Sequence, residues 1–115
     1  MKENFDLLIC GGSVCLPNEK IEKVDIGIKN SKIQELGDLS HKSCKLKLDV
    51  NNLLVLPGAI DSQVHFREPG LTYKEDIYSG TKGAVLGGIT SIFEMPNTKP
   101  STTNQSALED KLEIV

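Results

Sequence analysis

The sequence predicts an α/β protein with two domains, a small β domain over residues 1–56 and a strand–helix domain over residues 57–115. Up to residue 56, short stretches alternate apolar and polar side chains, which is the period of half-buried strands. From Pro57 onward, strand-like and helix-like stretches alternate, and this order is typical of a parallel sheet covered by helices. The change of pattern at Pro57-Gly58 therefore predicts the domain boundary.

The β domain is predicted from short apolar or alternating stretches that are bounded by turn residues. These stretches are residues 5–10, 24–28, 32–36, 46–50 and 53–56. Asn30-Ser31 predicts a tight turn that folds the second and third strands into a hairpin. Asn51-Asn52 separates the last two strands. We expect the strands to pair mostly antiparallel.

The second domain begins with a strand that is apolar at its start and polar at its end. Thr72 and Glu75 have the spacing of a capping box, in which each side chain satisfies a free amide at a helix start. The predicted elements, in order, are strand 59–66, helix 73–86, strand 89–95 and a helix that begins at residue 105 and runs to the last residue. We expect the two strands to be parallel and adjacent. The polar residues after each strand then lie at the edge where ligands bind in such folds.

Composition excludes several classes of function. The formal net charge is −3, with 38% hydrophobic and 25% charged residues, which predicts a soluble globular protein without the basic stripe of a nucleic-acid binder. The longest apolar run, 53–56, is far shorter than the ~20 residues of a membrane span. Residues 1–6 lack the apolar segment of a secretory signal, so we expect a cytoplasmic protein with reduced cysteines. Cys10 is expected to be a buried free thiol, and His41 an exposed loop residue.

Side chains that can carry chemistry follow the first strand of the second domain. Asp61, Gln63 and His65 alternate, and alternating strand residues point to one face. His65 can offer a neutral ring nitrogen to zinc, and Arg67 has a planar fork that matches a carboxylate. From spacing alone, a hydrogen-bonded histidine beside a solvated arginine is the simpler interpretation.

A second group follows the next strand. Asn97 lies between Pro96 and Thr98, so its amide could orient a polar substrate from a stiff turn. The alternative is an Asx-turn, in which the amide satisfies its own backbone. Glu94 is the one acid of the strand 89–95, and its alternative is a partly buried acid with a local partner.

Two segments together resemble the dihydroorotase family. Residues 56–70, LPGAIDSQVHFREPG, closely resemble its metal-binding segment, and residues 94–100, EMPNTKP, are similar to its second substrate loop. Residues 74–76 and 84–90 between them also look like that family. The resemblance covers essentially the whole chain. It implies an amidohydrolase (β/α)8 barrel flanked by a small β-sandwich-type domain, and zinc-dependent hydrolysis or closure of the cyclic amide of dihydroorotate in pyrimidine biosynthesis.

The resemblance also implies roles for individual residues. His65 matches the second histidine of the family's zinc pair, and Gln63, a weak zinc ligand, stands where the first histidine is usual. Arg67 and Asn97 match the residues that hold the carboxylate of the substrate, dihydroorotate or carbamoyl aspartate, beside His65. Zinc would polarise the amide carbonyl and lower the pKa of a bound water. Related dihydroorotase-like sequences also carry glutamine at the position of Gln63.

The length predicts only part of the barrel, because residues 57–115 are far fewer than the ~250 of a complete (β/α)8 fold. We therefore expect the first two β-α units of a truncated barrel, without the family's carboxylated lysine, its two further histidines and its catalytic aspartate. The isolated chain is expected neither to hydrolyse dihydroorotate nor to hold zinc tightly. Unpaired strand edges predict self-association or association with a complementary chain. Two alternatives stay open: a non-catalytic structural partner of aspartate carbamoyltransferase, and a decayed gene remnant.

Overall fold

The computed structural model describes residues 4–114 and divides the chain into two compact units, with the boundary between Pro57 and Gly58. The unit before the boundary is called the β unit here, and the one after it the βαβ unit. Within the described range, no helix is both long and apolar enough to cross a membrane.

The β unit is built from short strands. They are β1 (Asn4–Cys10), β2 (Ser13–Cys15), β3 (Ile21–Lys23), β4 (Asp25–Lys29), β5 (Lys32–Gly37), β6 (Ser43–Asp49) and β7 (Leu54–Val55). One sheet has the order β5-β4-β1-β6 and the other the order β3-β2-β7. Asn30 and Ser31 have φ angles of 51° and 59°, which are the left-handed values that a tight hairpin turn requires. The predicted hairpin of β4 and β5 is confirmed.

The pairing in the β unit is more mixed than the sequence predicted. β4 is antiparallel to β1 and β5, and β3 is antiparallel to β2. However, β1 runs parallel to β6, and β2 runs parallel to β7. The prediction also missed β2 and β3, because strands of three residues are too short to show a period. Parallel pairing is invisible to local patterns because it joins segments that are distant in the sequence.

A small apolar core holds the four-stranded sheet. Phe5, Leu8, Cys10 and Leu39 are buried and in mutual contact. A Cβ at Gly27 would lie 2.7 Å from the ring of Phe5, so the β4 backbone packs directly on this ring. Cys10 is the predicted buried free thiol, and burial raises the pKa of its thiol. His41 is exposed, as predicted.

The βαβ unit contains two parallel strands and two helices. They are β8 (Ala59–Val64), α1 (Ile77–Leu86), β9 (Ile89–Glu94) and α2 (Gln105–Leu112). β8 and β9 are parallel and adjacent, so that prediction is confirmed. Backbone hydrogen bonds from Ala59 to Gly88 and from Met95 to Val64 extend the pairing at both ends. The segments that follow the two strands consequently leave the sheet at the same edge.

The start of α1 differs from the prediction. The helix begins at Ile77 rather than at residue 73, and its N-cap is Asp76, whose Oδ1 accepts a hydrogen bond from the Ser79 amide at 2.7 Å. The prediction of a capping box formed by Thr72 and Glu75 is therefore wrong, because Asp76 is a stronger cap that lies closer to the apolar part of the helix. α2 begins at residue 105 as predicted, but it ends at Leu112, so the prediction that it continues along the chain is wrong for residues 113–114; residue 115 lies outside the described residues.

Candidate functional site

The site lies where the segments after β8 and β9 meet. His65 directly follows β8, and Asn97 lies three residues after β9. The Nδ1 atom of His65 and the Oδ1 atom of Asn97 are 2.9 Å apart, and both side chains are exposed. The predicted convergence of these two residues is confirmed. The Asx-turn alternative for Asn97 does not apply, because its amide oxygen faces His65 instead.

The end of β8 carries an irregularity that changes the predicted face of its polar residues. Asp61 pairs with Ile92 and Val64 with Glu94, so three steps along β8 match two steps along β9. Such a bulge breaks strict alternation. The prediction that Asp61, Gln63 and His65 share one face by alternation is therefore wrong. The Oδ1 atom of Asp61 instead accepts a hydrogen bond from the Gln63 amide at 3.0 Å.

The loop that carries Arg67 is anchored on both sides of that residue. Phe66 is buried and packs against α1, where a Cβ at Gly80 would lie 2.5 Å from its ring. On the other side, Oε2 of Glu68 accepts a hydrogen bond from the Ile77 amide at 2.9 Å, at the N-terminus of α1. A carboxylate is favourable there, since it meets free amides and the positive end of the helix dipole. These contacts fix the backbone of Arg67 relative to α1.

The two loops of the site are also joined to each other. The Lys99 amide donates a hydrogen bond to the Pro69 carbonyl at 3.0 Å. Gly70 has a φ of +88°, and a Cβ at this position would lie 1.8 Å from the Lys99 carbonyl oxygen. Any residue with a side chain at position 70 would force the loops apart. The sequence reasoning missed this contact because the two loops are distant in the sequence.

Internal hydrogen bonds fix the shape of the Asn97 loop. Thr98 is buried, and its hydroxyl donates to the Pro100 carbonyl at 2.8 Å and lies 2.9 Å from the Thr102 hydroxyl. The Thr102 amide donates to the Pro96 carbonyl at 3.0 Å, which closes the loop. The backbone of Asn97 is thus held on both sides.

Glu94 and Lys111 form a buried ion pair beneath this loop. Their side chains are 15% and 9% exposed, and Oε1 of Glu94 has no hydrogen-bond partner among the described residues. The pair borders a cavity of about 260 Å³ between β9 and the two helices. The alternative interpretation of Glu94 therefore applies: it is a partly buried acid with a local partner, Lys111. Lys111 was missed because nothing local distinguishes it from a solvated helix lysine.

Arg67 is half-buried, and its guanidinium makes no hydrogen bond or ion pair with any other residue in the range 4–114. Its N–H donors are consequently available to a ligand. A guanidinium presents them as a planar fork that matches a carboxylate. Arg67 belongs to the loop that docks on the Asn97 loop through Pro69 and Lys99. Its donors are thus carried on the same pair of loops as His65 and Asn97.

The described residues do not form a zinc site by themselves. Among residues 4–114, no three His, Cys, Asp or Glu side chains are grouped so that they could hold a metal ion. Protein zinc sites need three or four ligands, and nitrogen, sulfur and carboxylate oxygen are preferred. His65 supplies one suitable nitrogen, whereas the carboxamide of Gln63 is a weak donor.

Comparison with known proteins agrees with this arrangement of loops and strands. The model of the Amidohydrolase family matches residues 54–114. This match includes both strands and both helices of the βαβ unit, with both loops of the site. The chain belongs to the amidohydrolase family.

Within that family, the sequence is similar to dihydroorotases. It is 48% identical to the dihydroorotase of Geobacter metallireducens over 104 residues, which are 89% of this chain and 24% of that protein. It is 44% identical to the dihydroorotase of Lactococcus lactis subsp. lactis over 110 residues, 94% of this chain and 26% of that protein. The chain therefore spans about a quarter of the length of the curated relatives it matches.

Solved structures of two hydantoinases and of a D-aminoacylase share the fold. The L-hydantoinase (dihydropyrimidinase) of Arthrobacter aurescens superposes with a TM-score of 0.83 and 28% identity, over 96% of this chain and 25% of that one. The D-hydantoinase (dihydropyrimidinase) of Thermus sp. gives a TM-score of 0.74 and 25% identity, over 94% of this chain and 24% of that one. A D-aminoacylase described as having a binuclear metal center gives a TM-score of 0.59 and 29% identity, over 76% of this chain and 18% of that one.

Proposed function

We propose that the two loops of the βαβ unit form the carboxylate-binding part of a dihydroorotase-type active site. The reaction is the hydrolysis, or the reverse closure, of the cyclic amide of dihydroorotate in pyrimidine biosynthesis, in the cytoplasm. The observation that carries this proposal is the 2.9 Å contact between His65 and Asn97. It brings together residues from both segments that resemble dihydroorotases, at the edge where parallel α/β folds bind ligands.

Binding of the substrate is assigned to Arg67, Asn97 and His65. Dihydroorotate and carbamoyl aspartate both carry carboxylates, which a guanidinium can hold with two parallel hydrogen bonds. The amide of Asn97 adds donors from the second loop, since only its oxygen faces His65. The docking of Lys99 on Pro69 keeps the two loops at a fixed separation, and such preorganisation lowers the cost of binding.

Zinc is the proposed cofactor of the complete site, with His65 as a ligand and Gln63 as a weak second donor. These two side chains supply fewer ligands than a zinc site needs. Residues 57–115 are proposed to be the start of a (β/α)8 barrel, whose other ligands come from other barrel strands. No step of the reaction is assigned to a metal held by this chain alone.

A chimeric enzyme tests the proposal. The first quarter of the Geobacter metallireducens dihydroorotase, which this chain matches at 48% identity, is replaced by residues 1–115. We expect the chimera to open dihydroorotate and the separate 115-residue chain to show neither turnover above background nor tight zinc binding. Arg67→Met should lower kcat/KM of the chimera by about 10- to 100-fold, because a hydrogen bond to a charged group contributes about 1.5–3 kcal/mol.

The control for Arg67→Met is Lys82→Met, which removes a cation from the exposed surface of α1. It should leave kcat/KM unchanged. Equal losses in the two variants would show that net charge, rather than a carboxylate contact, explains the effect. A soluble, zinc-loaded chimera without turnover would contradict the proposed catalytic function.

A second candidate is a non-catalytic structural role, such as that of the dihydroorotase-like chains that associate with aspartate carbamoyltransferase. The specific observation in its favour is Gln63, which stands at a metal-ligand position of the family. Gln63→His in the chimera separates the two candidates. Turnover that appears only with histidine favours the structural role or a decayed gene, whereas turnover with Gln63 favours an enzyme.

A further inference from the structure

We propose that Asn97 is a positioning residue that fixes the tautomer of His65. Its Oδ1 atom holds the imidazole in the form that carries hydrogen on Nδ1, and the Nε2 atom is left with a free lone pair. What Nε2 then binds rests on the proposed function, but the tautomer itself does not depend on it.

The assignment follows from the chemistry of the two side chains. A carboxamide oxygen only accepts hydrogen bonds, so the Nδ1 atom at 2.9 Å from it must be the donor. A neutral imidazole carries one hydrogen, and placing it on Nδ1 leaves Nε2 as the acceptor. An exposed histidine without such a partner exchanges between both tautomers. Asn97 therefore selects one of the two neutral tautomers of His65.

The contact is preorganised, because the backbone on each side of it is anchored. The Met95 amide donates to the Val64 carbonyl at 2.8 Å, directly before His65, and Phe66 is buried directly after it. In the other loop, Thr98 is buried beside Asn97. These anchors hold the backbones of the two residues at the separation that the contact between the imidazole and the amide requires.

One amide then serves two purposes. Its oxygen orients His65, while its two N–H donors remain for the carboxylate that the proposed function assigns to this loop. The acceptor role and the donor role of Asn97 can be separated by replacing it with aspartate or with leucine. Aspartate keeps an acceptor beside Nδ1 but has no donor, whereas leucine has a similar volume and neither group.

Nitrogen NMR of the histidine side chains tests the inference without substrate, zinc or turnover. The full chain contains two histidines, so ¹⁵N labelling of histidine gives two rings, and His41 in the β unit is the internal reference. Spectra are recorded at about pH 9, well above the usual range for histidine side chains. We expect His65 to show hydrogen on Nδ1 and a free lone pair on Nε2, and His41 to show the averaged shifts of mixed tautomers.

The variants sharpen the test. Asn97→Leu should return His65 to the averaged shifts of His41, and Asn97→Asp should restore the Nδ1–H form. Asn104→Asp, the same replacement at the N-cap of α2, should leave His65 unchanged. Averaged shifts of His65 in the parent chain would overturn the inference, whether or not the chain is fully folded. So would an Nδ1–H form that persists in a folded Asn97→Leu variant.

The failure of this inference is distinguishable from failure of the proposed function. An active chimera with averaged His65 shifts removes the tautomer role and keeps the function. A fixed tautomer in the chain, with an inactive zinc-loaded chimera, removes the function and keeps the positioning role.

Discussion

Gly70 is a point of close approach between the two loops of the site. It combines a φ of +88° with a carbonyl oxygen of Lys99 that lies 1.8 Å from where a Cβ would be. The backbone would have to move to relieve a clash with an added side chain, because the obstructing atom is a main-chain oxygen. Glycine at this position therefore decides whether the Arg67 loop can dock on the Asn97 loop.

We expect Gly70→Ala to destabilise the βαβ unit by at least about 2 kcal/mol, as left-handed backbone costs a residue with a side chain about 1–2 kcal/mol and the clash adds to it. Gly83→Ala is the matched control. It lies within α1 with nothing within 4 Å of the added Cβ, and alanine is favoured over glycine in helices by about 0.5–1 kcal/mol. Urea unfolding should give opposite signs for the two variants. Equal effects would contradict the proposed docking of the loops.

The loops of the candidate site could be placed from the sequence, but the individual side-chain contacts between them could not. His65, Arg67 and Asn97 follow predicted parallel strands, and that topology alone brings their loops to one edge. The contact of His65 with Asn97 depends on side-chain geometry between distant loops. The hydrogen bond between Glu68 and the Ile77 amide likewise joins a loop to a helix whose start was placed too early.

At the level of elements, α1 depends on its N-cap. The Asp76 carboxylate accepts a hydrogen bond from Ser79, and hydrogen bonding from the side chain and backbone of Ser79 lowers the pKa of Asp76 below its ordinary value. A carboxylate whose pKa is lowered on folding stabilises the fold above its ordinary pKa. This contribution is lost as the pH falls through the lowered value.

We expect the thermal stability of the parent chain to fall more steeply than that of Asp76→Asn as the pH drops below about 4. Asparagine also caps helices well but does not titrate there, so it keeps the cap at every pH. Circular-dichroism melting of both proteins between about pH 3 and pH 7 measures the difference, and contributions of other carboxylates cancel. Parallel curves over this range would show that Asp76 does not couple α1 to pH.

Elements with a clear period could be predicted, and the others could not. β4, β5 and β9 each extend over several alternating or β-branched residues, and their positions are confirmed within a residue or two. β2 and β3 are too short to carry a pattern. The start of α1 was misplaced because Thr72 and Asp76 both have cap chemistry, and tertiary contacts of Glu68 and Phe66 select the second.

For the whole molecule, the notable feature is the apolar face of the two-stranded sheet. Ile60 pairs with Ser91 in the β8–β9 register, so it lies on the same face as Phe93. Ile60 is 64% and Phe93 62% exposed. Ile92, on the other face, lines the cavity next to the helices. Within residues 4–114, neither strand of this sheet pairs with a third. Open edges and exposed apolar patches favour association.

We therefore expect the 115-residue chain to self-associate in solution through this sheet, since a second copy can pair with an open edge and cover Ile60 and Phe93. Sedimentation velocity over the micromolar to millimolar range should show a mass that rises with concentration. Ile60→Lys should shift the chain toward the monomer, because a buried unpaired ammonium is costly at an apolar interface. Ser106→Lys, an exposed polar position in α2, adds the same charge away from the sheet and should leave the association unchanged. A monomer at every concentration, or an equal response to both lysines, would show that this face is not what joins the copies.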